Sequence, residues 1–243
     1  MDNINKNEKI KHFGVWIKST ASICINRDNY AVVDKNSSTW SPRIGKLRRS
    51  YYQTVAERMV DYDDDECRVY SDKWCVEHRR KCLLNFDLNM AYFDNLQHEA
   101  FEEVLVKLCD SNKAIKEIDN LNSYKGVSGV YVMVLDRYKQ VYIGQSVDIK
   151  RRILRHWNTR KQFDRLLFGC VEESVISIDS FGALDTTRIF VLETGKLNSI
   201  EKKIVNDIPD IYRLNRIGGG RAENGIDIVD ILKSTNHRQL TGK

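Results

Sequence analysis

Two apolar runs dominate the middle of the chain. Residues 129–136 (GVYVMVLD) and 140–145 (QVYIGQ) are rich in β-branched and aromatic side chains and flank a short polar turn, which predicts two consecutive strands. Residues 147–157 (VDIKRRILRHW) switch to helical spacing, with Ile149, Ile153 and Trp157 on one stripe and Ser146 or Asp148 as N-cap. Further along, 162–169 reads as a short helix, 186–193 as a strand, 197–208 as a helix, 212–221 as a loop or short strand and 225–233 as a terminal helix. Ahead of the strand pair, 12–34 alternates short apolar runs with turn-like residues and predicts a small antiparallel meander. Residues 45–62 predict a helix, and the carboxylate run at 63–67 a solvated loop. Residues 96–110 predict an amphipathic helix with Phe101, Val104, Leu105 and Leu108 on its apolar stripe. The polar, turn-rich stretch 111–129 places a boundary near Tyr124. It divides an N-terminal β/α region, 1–124, from a C-terminal domain, 125–243. The expected class is α+β, with a central sheet of about three strands flanked by helices and an N-terminal mixed β/α extension.

Side chains alternate faces along a strand, so the pairing of 129–136 with 140–145 has consequences. With an even number of loop residues, Tyr131 pairs near Gly144 and Tyr142 near Met133. Both phenols then leave one face, and Val130, Val132, Val134, Val141 and Ile143 line the other. A slip of one residue destroys that uniformly aliphatic face. Gly144, directly after this strand, lets another backbone or a ligand approach closely.

Composition narrows the class. The chain has 243 residues, 42% hydrophobic and 30% charged, with a net charge of +5, enough for a buried core and compatible with an anionic partner. The polar start and the lack of a bilayer-length apolar run predict a cytoplasmic protein with no membrane partner. The six cysteines are then expected to be thiols. Cys67, Cys75, His78 and Cys82 have the donor types of a zinc site but no C-x-x-C knuckle, so zinc is not expected there.

Helix 147–157 carries more cations than a core element needs. Arg152 and His156 stand one turn apart beside its apolar stripe. Lys150, Arg151, Arg155, Arg160, Lys161 and Arg165 extend the positive field, a density that suits phosphate contacts. Taken singly, each of these residues has an ordinary reading: sheet tyrosines, a surface histidine, a solvated basic helix.

Together, Gly129-Val130-Tyr131, Tyr142-Ile143-Gly144, Arg152 and His156 resemble the signature of the GIY-YIG nuclease family. The run 142–156 in particular is similar to its homing-endonuclease and restriction-type members. That family also carries a later helical glutamate and an asparagine, matched by Glu201 and Asn215. Glu193 competes with Glu201 but closes the third strand rather than lying in the helix. The resemblance spans about 129–221, less than half of the chain. It implies hydrolysis of DNA phosphodiesters with Mg²⁺ or Mn²⁺ held by Glu201. Arg152 would meet the scissile phosphate, Asn215 would orient or brace, and the base would be Tyr131, Tyr142 or His156. Arg216 and Arg221, flanking Gly218, Gly219 and Gly220, join the DNA-binding set. Some members carry lysine where Gln145 stands, so a lysine-assisted phenol is not expected here. The implied protein is a sequence-specific endonuclease of restriction, homing or phage type in a prokaryotic or phage-infected cell. One site cuts one strand, so it acts as a nickase unless it forms a homodimer or nicks twice. Arg48, Arg49, Tyr51, Tyr52, Trp74, Arg79 and Arg80 interleave aromatics with cations in the region expected to select the target. The alternative is a non-catalytic nucleic-acid-binding or regulatory protein that keeps this fold.

Overall fold

The computed structural model describes residues 9–30, 69–158, 166, 170–216 and 238–241. The predicted helices at 45–62 and 225–233, the 63–67 loop, and all but Leu166 of the 162–169 segment lie outside these residues. So do Arg48, Arg49, Tyr51, Tyr52, Cys67, Arg160, Lys161, Arg165, Gly218, Gly219, Gly220 and Arg221. Among the described residues no helix is long and apolar enough to cross a membrane.

The described residues are of mixed α and β structure with two antiparallel sheets. The smaller sheet is a hairpin of β1 (Ile10–His12) and β2 (Val15–Ile17). Its two turn residues, Phe13 and Gly14, have φ of 45° and 73°. Positive φ at both positions gives the tight turn that matches strand twist. The expected meander is thereby corrected within the described residues: one hairpin forms, and the chain then enters a helical turn, α1 (Ser19–Ser22).

The main sheet is built from β3 (Lys116–Ile118), β4 (Gly129–Leu135), β5 (Gln140–Ser146) and β6 (Arg188–Glu193), in the order β3-β6-β4-β5. The expectation of about three strands is corrected to four. The extra edge strand has only Ile118 buried, so its hydropathy gave no strand pattern. Strands β4 and β5 pair in the predicted register, Tyr131 opposite Gly144 and Met133 opposite Tyr142. A short turn at Asp136–Tyr138 and Lys139, at φ 47°, connects them.

Helices cover both faces. The aliphatic face of Val130, Val132, Val134, Val141 and Ile143 packs with Phe101, Leu105 and Leu108 of α3 (His98–Ser111) and Ile204 and Val205 of α5 (Leu197–Asp207). Three of the four predicted α3 stripe residues are buried, and Val104 packs partly against them. The opposite face carries Tyr131, Met133, Leu135, Ile189 and Val191. It meets Ile149, Ile153 and Trp157 of α4 (Ile149–Asn158), together with Phe86 and Phe93 of α2 (Asp72–Asp94). Val15, Ile17 and Tyr30, from the N-terminal end, belong to this same cluster.

The long helix α2 escaped sequence reading because its buried stripe is broken by two amides. Asn85 and Asn89 are fully buried between Cys82, Phe86 and Phe93. Their Nδ2 groups donate to the carbonyls of Val171 and Ser174, pinning the segment that leads to residue 179. Among the thiols and imidazole at which zinc is not expected, Cys82 Sγ lies 3.3 Å from His78 Nε2, and Trp74 stacks on the His78 ring. Cys24, Cys75, Cys82, Cys109 and Cys170 are thiols.

Candidate active site on the phenol face of the sheet

The hairpin register delivers Tyr131 and Tyr142 to one face, with ring centroids 6.4 Å apart. Gly144 explains how they fit. A β-carbon there would lie 2.3 Å from the Tyr131 hydroxyl oxygen, so the glycine is the floor on which that phenol rests. Tyr131 is completely buried, and Tyr142 is partly exposed beside it.

Helix α4 supplies the next groups. Of the two candidate caps, Asp148 is the one used: its carboxylate accepts the Arg151 N–H at 2.9 Å, while Ser146 binds Asp148 itself. Ile149, Ile153 and Trp157 turn into the core, which brings His156 over the phenols. Its Nε2 lies 2.9 Å from the Tyr131 hydroxyl, and its ring centroid is 5.1 Å from that of Tyr142. On the other side, Nδ1 lies 2.6 Å from Asp179 Oδ1.

Arg152, one turn before His156, sits beside both phenols. Burial pushes the Tyr131 phenol well above its ordinary value, with Tyr142 adding to the rise and Arg152 pulling against it. Tyr142 is pushed up to about 12, again mainly by burial, with Arg152 opposing and Asp179 and Glu201 reinforcing. Burial disfavours the Arg152 charge, but the two phenols outweigh it and raise that pKa. Near neutrality both phenols therefore keep their protons.

Glu201 reaches this group from α5. Its Oε2 accepts the Gln145 amide N–H at 2.8 Å, and the same amide donates to Asn198 Oδ1 at 2.7 Å. Gln145, one residue past the glycine of β5, thus fixes the position of Glu201. Glu193 ends β6 as an exposed residue opposite Gly129. Asn215 is buried and spans β5: Oδ1 accepts the Ile143 N–H at 2.9 Å, and Nδ2 donates to the Ile143 carbonyl at 2.8 Å. With the Leu214 N–H donating to Val141, residues 213–215 cover the open edge of the sheet beside Tyr142. The buried guanidinium of Arg238 braces that segment through the carbonyls of Asp210, Ile211 and Arg213 and through Gln140.

Tyr131, Tyr142, Arg152 and His156 are thus brought to one face; Glu201 comes from the helix on the aliphatic face, is held by Gln145 near the end of β5 and acts electrostatically on both phenols, and Asn215 stands at the margin. Of the expected phosphate-contacting cations, Arg151 and Arg155 are exposed on α4. Lys150 donates to Asn122 Oδ1, and Arg216 Nε donates to the Val175 carbonyl. Trp74, Arg79 and Arg80 lie at the start of α2, where Arg80 pairs with Glu77. Sequence reasoning missed Asp179, Asn198 and the role of Gln145. Asp179 had a signal: an acid among Val175, Ile176, Ile178 and Phe181, all buried, is a polar group in an apolar setting.

No family model, curated protein or solved structure matches the chain. Among the described residues no group of three or more His, Cys, Asp or Glu is disposed to hold a metal ion. Glu201 is a single, partly exposed carboxylate, held by Gln145 through Oε2. One carboxylate completed by waters and phosphate oxygens is a donor set that hydrated magnesium accepts.

Proposed function

We propose that this chain is a DNA endonuclease of GIY-YIG type that requires Mg²⁺ or Mn²⁺ at Glu201. The observation that carries the reading is the gathering of Arg152, His156 and two phenols on one face of the sheet, with Glu201, from an element about fifty residues further along, held by Gln145 near enough to act on both phenols.

The chemistry assigns each group a task. Water attacks phosphorus in line, a P–O bond to the water oxygen forms and the bond to the departing 3′ oxygen breaks; the proton the water gives up to solvent is balanced by the one the 3′ oxygen takes from it. Arg152 offers a planar fork of N–H donors to the phosphate oxygens. Tyr142, the phenol that reaches solvent, orients the attacking water, with its proton retained at neutral pH. Tyr131 and His156 back it from within. A metal ion held by Glu201, when bound, supplies positive charge to the phosphate oxygens and the leaving group. Gln145 and Asn198 keep the carboxylate aimed, and Asn215 holds the strand that carries Tyr142. Exposed Arg151 and Arg155 contribute contacts to the phosphate backbone.

The preference for cutting over mere binding is tested with Arg152→Ala. The variant is expected to lose cleavage at least about 100-fold while keeping most of its affinity for duplex DNA, because one phosphate contact among several is removed. A variant that cuts at the normal rate removes Arg152 from the mechanism.

A further inference from the structure

His156 has two ring nitrogens and two different neighbours, and the difference fixes a direction. An ionised carboxylate only accepts hydrogen bonds. With Asp179 Oδ1 at 2.6 Å, Nδ1 must carry the hydrogen. In the neutral ring Nε2 is then bare, and the Tyr131 hydroxyl, 2.9 Å away, must donate to it. That commits the only hydrogen of Tyr131 inward. Its remaining lone pairs are left for the Arg152 guanidinium, which lies beside the same phenol.

We propose that Asp179 is a positioning residue: it sets the polarity of a buried chain running from Arg152 through Tyr131 and His156 to its own carboxylate. The consequence for cleavage rests on the nuclease reading; the polarity does not. In the reverse polarity Nε2 carries the hydrogen and donates to Tyr131. The Tyr131 hydroxyl then turns outward and presents its hydrogen to Arg152, donor against donor. Among the described residues, the charged and titratable groups around His156 include Tyr131 from β4, Tyr142 from β5, Arg152 from α4 and Asp179 from the turn at Ile178–Ser180, with Glu201 acting on the phenols from α5. Of these, only Asp179 faces Nδ1 as an obligate acceptor.

Asn85 and Asn89 add a reason why Asp179 is placed so firmly. They hold the carbonyls of Val171 and Ser174, and Arg216 holds that of Val175, so the strand of chain entering residue 179 is fixed at three points. A carboxylate partner that sets a histidine tautomer governs the turnover step far more than ground-state binding when replaced by its amide.

The experiment is ¹⁵N NMR of the His156 ring in the full chain, together with plasmid nicking. Wild type is expected to show a protonated Nδ1 and a bare Nε2 when neutral. Tyr131→Phe is expected to leave that tautomer unchanged, since Asp179 sets it. Asp179→Asn is expected to shift the ring toward Nε2–H and to lower the nicking rate at least about 100-fold, with DNA affinity unchanged. A wild-type ring protonated at Nε2 overturns the proposal, and so does an Asp179→Asn variant that nicks at the wild-type rate. If wild type shows Nδ1–H but does not nick DNA, the polarity is supported and the nuclease reading falls. The wild-type spectrum answers the question even if the variant does not fold.

Discussion

The Tyr131 phenol rests on Gly144 so closely that a β-carbon on the glycine would come within 2.3 Å of its oxygen. The sequence already pairs the two across the strands; what it does not show is that the Tyr131 phenol itself is the group that closes on the glycine. The glycine at the end of the second strand is the condition for the tyrosine on the first to reach His156.

Gly144→Ala is therefore expected to displace the Tyr131 ring and separate it from His156 without unfolding the sheet. Overpacking of this kind costs about 1–3 kcal/mol. The expected result is a folded protein with a lowered melting temperature and cleavage reduced by about two orders of magnitude, a loss typical of misplaced catalytic groups. Thermal denaturation and a cleavage assay on the same preparation check it. Full activity in a folded Gly144→Ala variant would mean that the phenol has no role at this position.

Gln145 offers a test of how Glu201 is held. Gln145→Leu keeps the side-chain volume and removes the donors to Glu201 and Asn198. Supporting hydrogen bonds of this kind typically contribute 10–100-fold to metal affinity. The magnesium concentration for half-maximal cleavage is expected to rise about 10-fold or more, with little change in the rate at saturation. An unchanged magnesium titration would show that Glu201 does not depend on Gln145.

Asp148 predicts a pH dependence of stability. The Arg151 N–H and the charges near it hold the Asp148 carboxyl below its usual value. A group whose pKa is lowered on folding stabilises the protein above its unfolded pKa, and that contribution is lost as pH falls through the folded value. Asp148→Ala is expected to cost about 1 kcal/mol at neutral pH. The difference from wild type should shrink at acid pH, as the carboxyl takes up its proton in the folded state as well. Urea denaturation of the two proteins at neutral and acid pH measures it. A gap that persists at low pH would assign the effect to packing rather than to the charged cap.

Much of the site was legible because it is local. The hairpin's aliphatic face forces one register, and the register alone sets both tyrosines on the same side. The helix after Gly144 carries its own periodicity, which put Arg152 and His156 beside the buried stripe. What was hidden depends on chain segments distant in sequence. Helix α2 buries amides where a pattern reader expects carbons, because Asn85 and Asn89 find carbonyl partners 85–89 residues away. Strand β3 has one buried residue and owes its conformation to the neighbouring β6. Asp179 and Gln145 acquire meaning only once His156 and Glu201 arrive opposite them.

The most direct measurement is cleavage of supercoiled plasmid by purified protein with magnesium, alongside Glu201→Ala. The account predicts conversion to nicked or linear DNA by wild type, abolished by chelation and reduced by at least about 100-fold in the variant. Plasmid that stays supercoiled with wild type, or is cut equally well by Glu201→Ala, contradicts it.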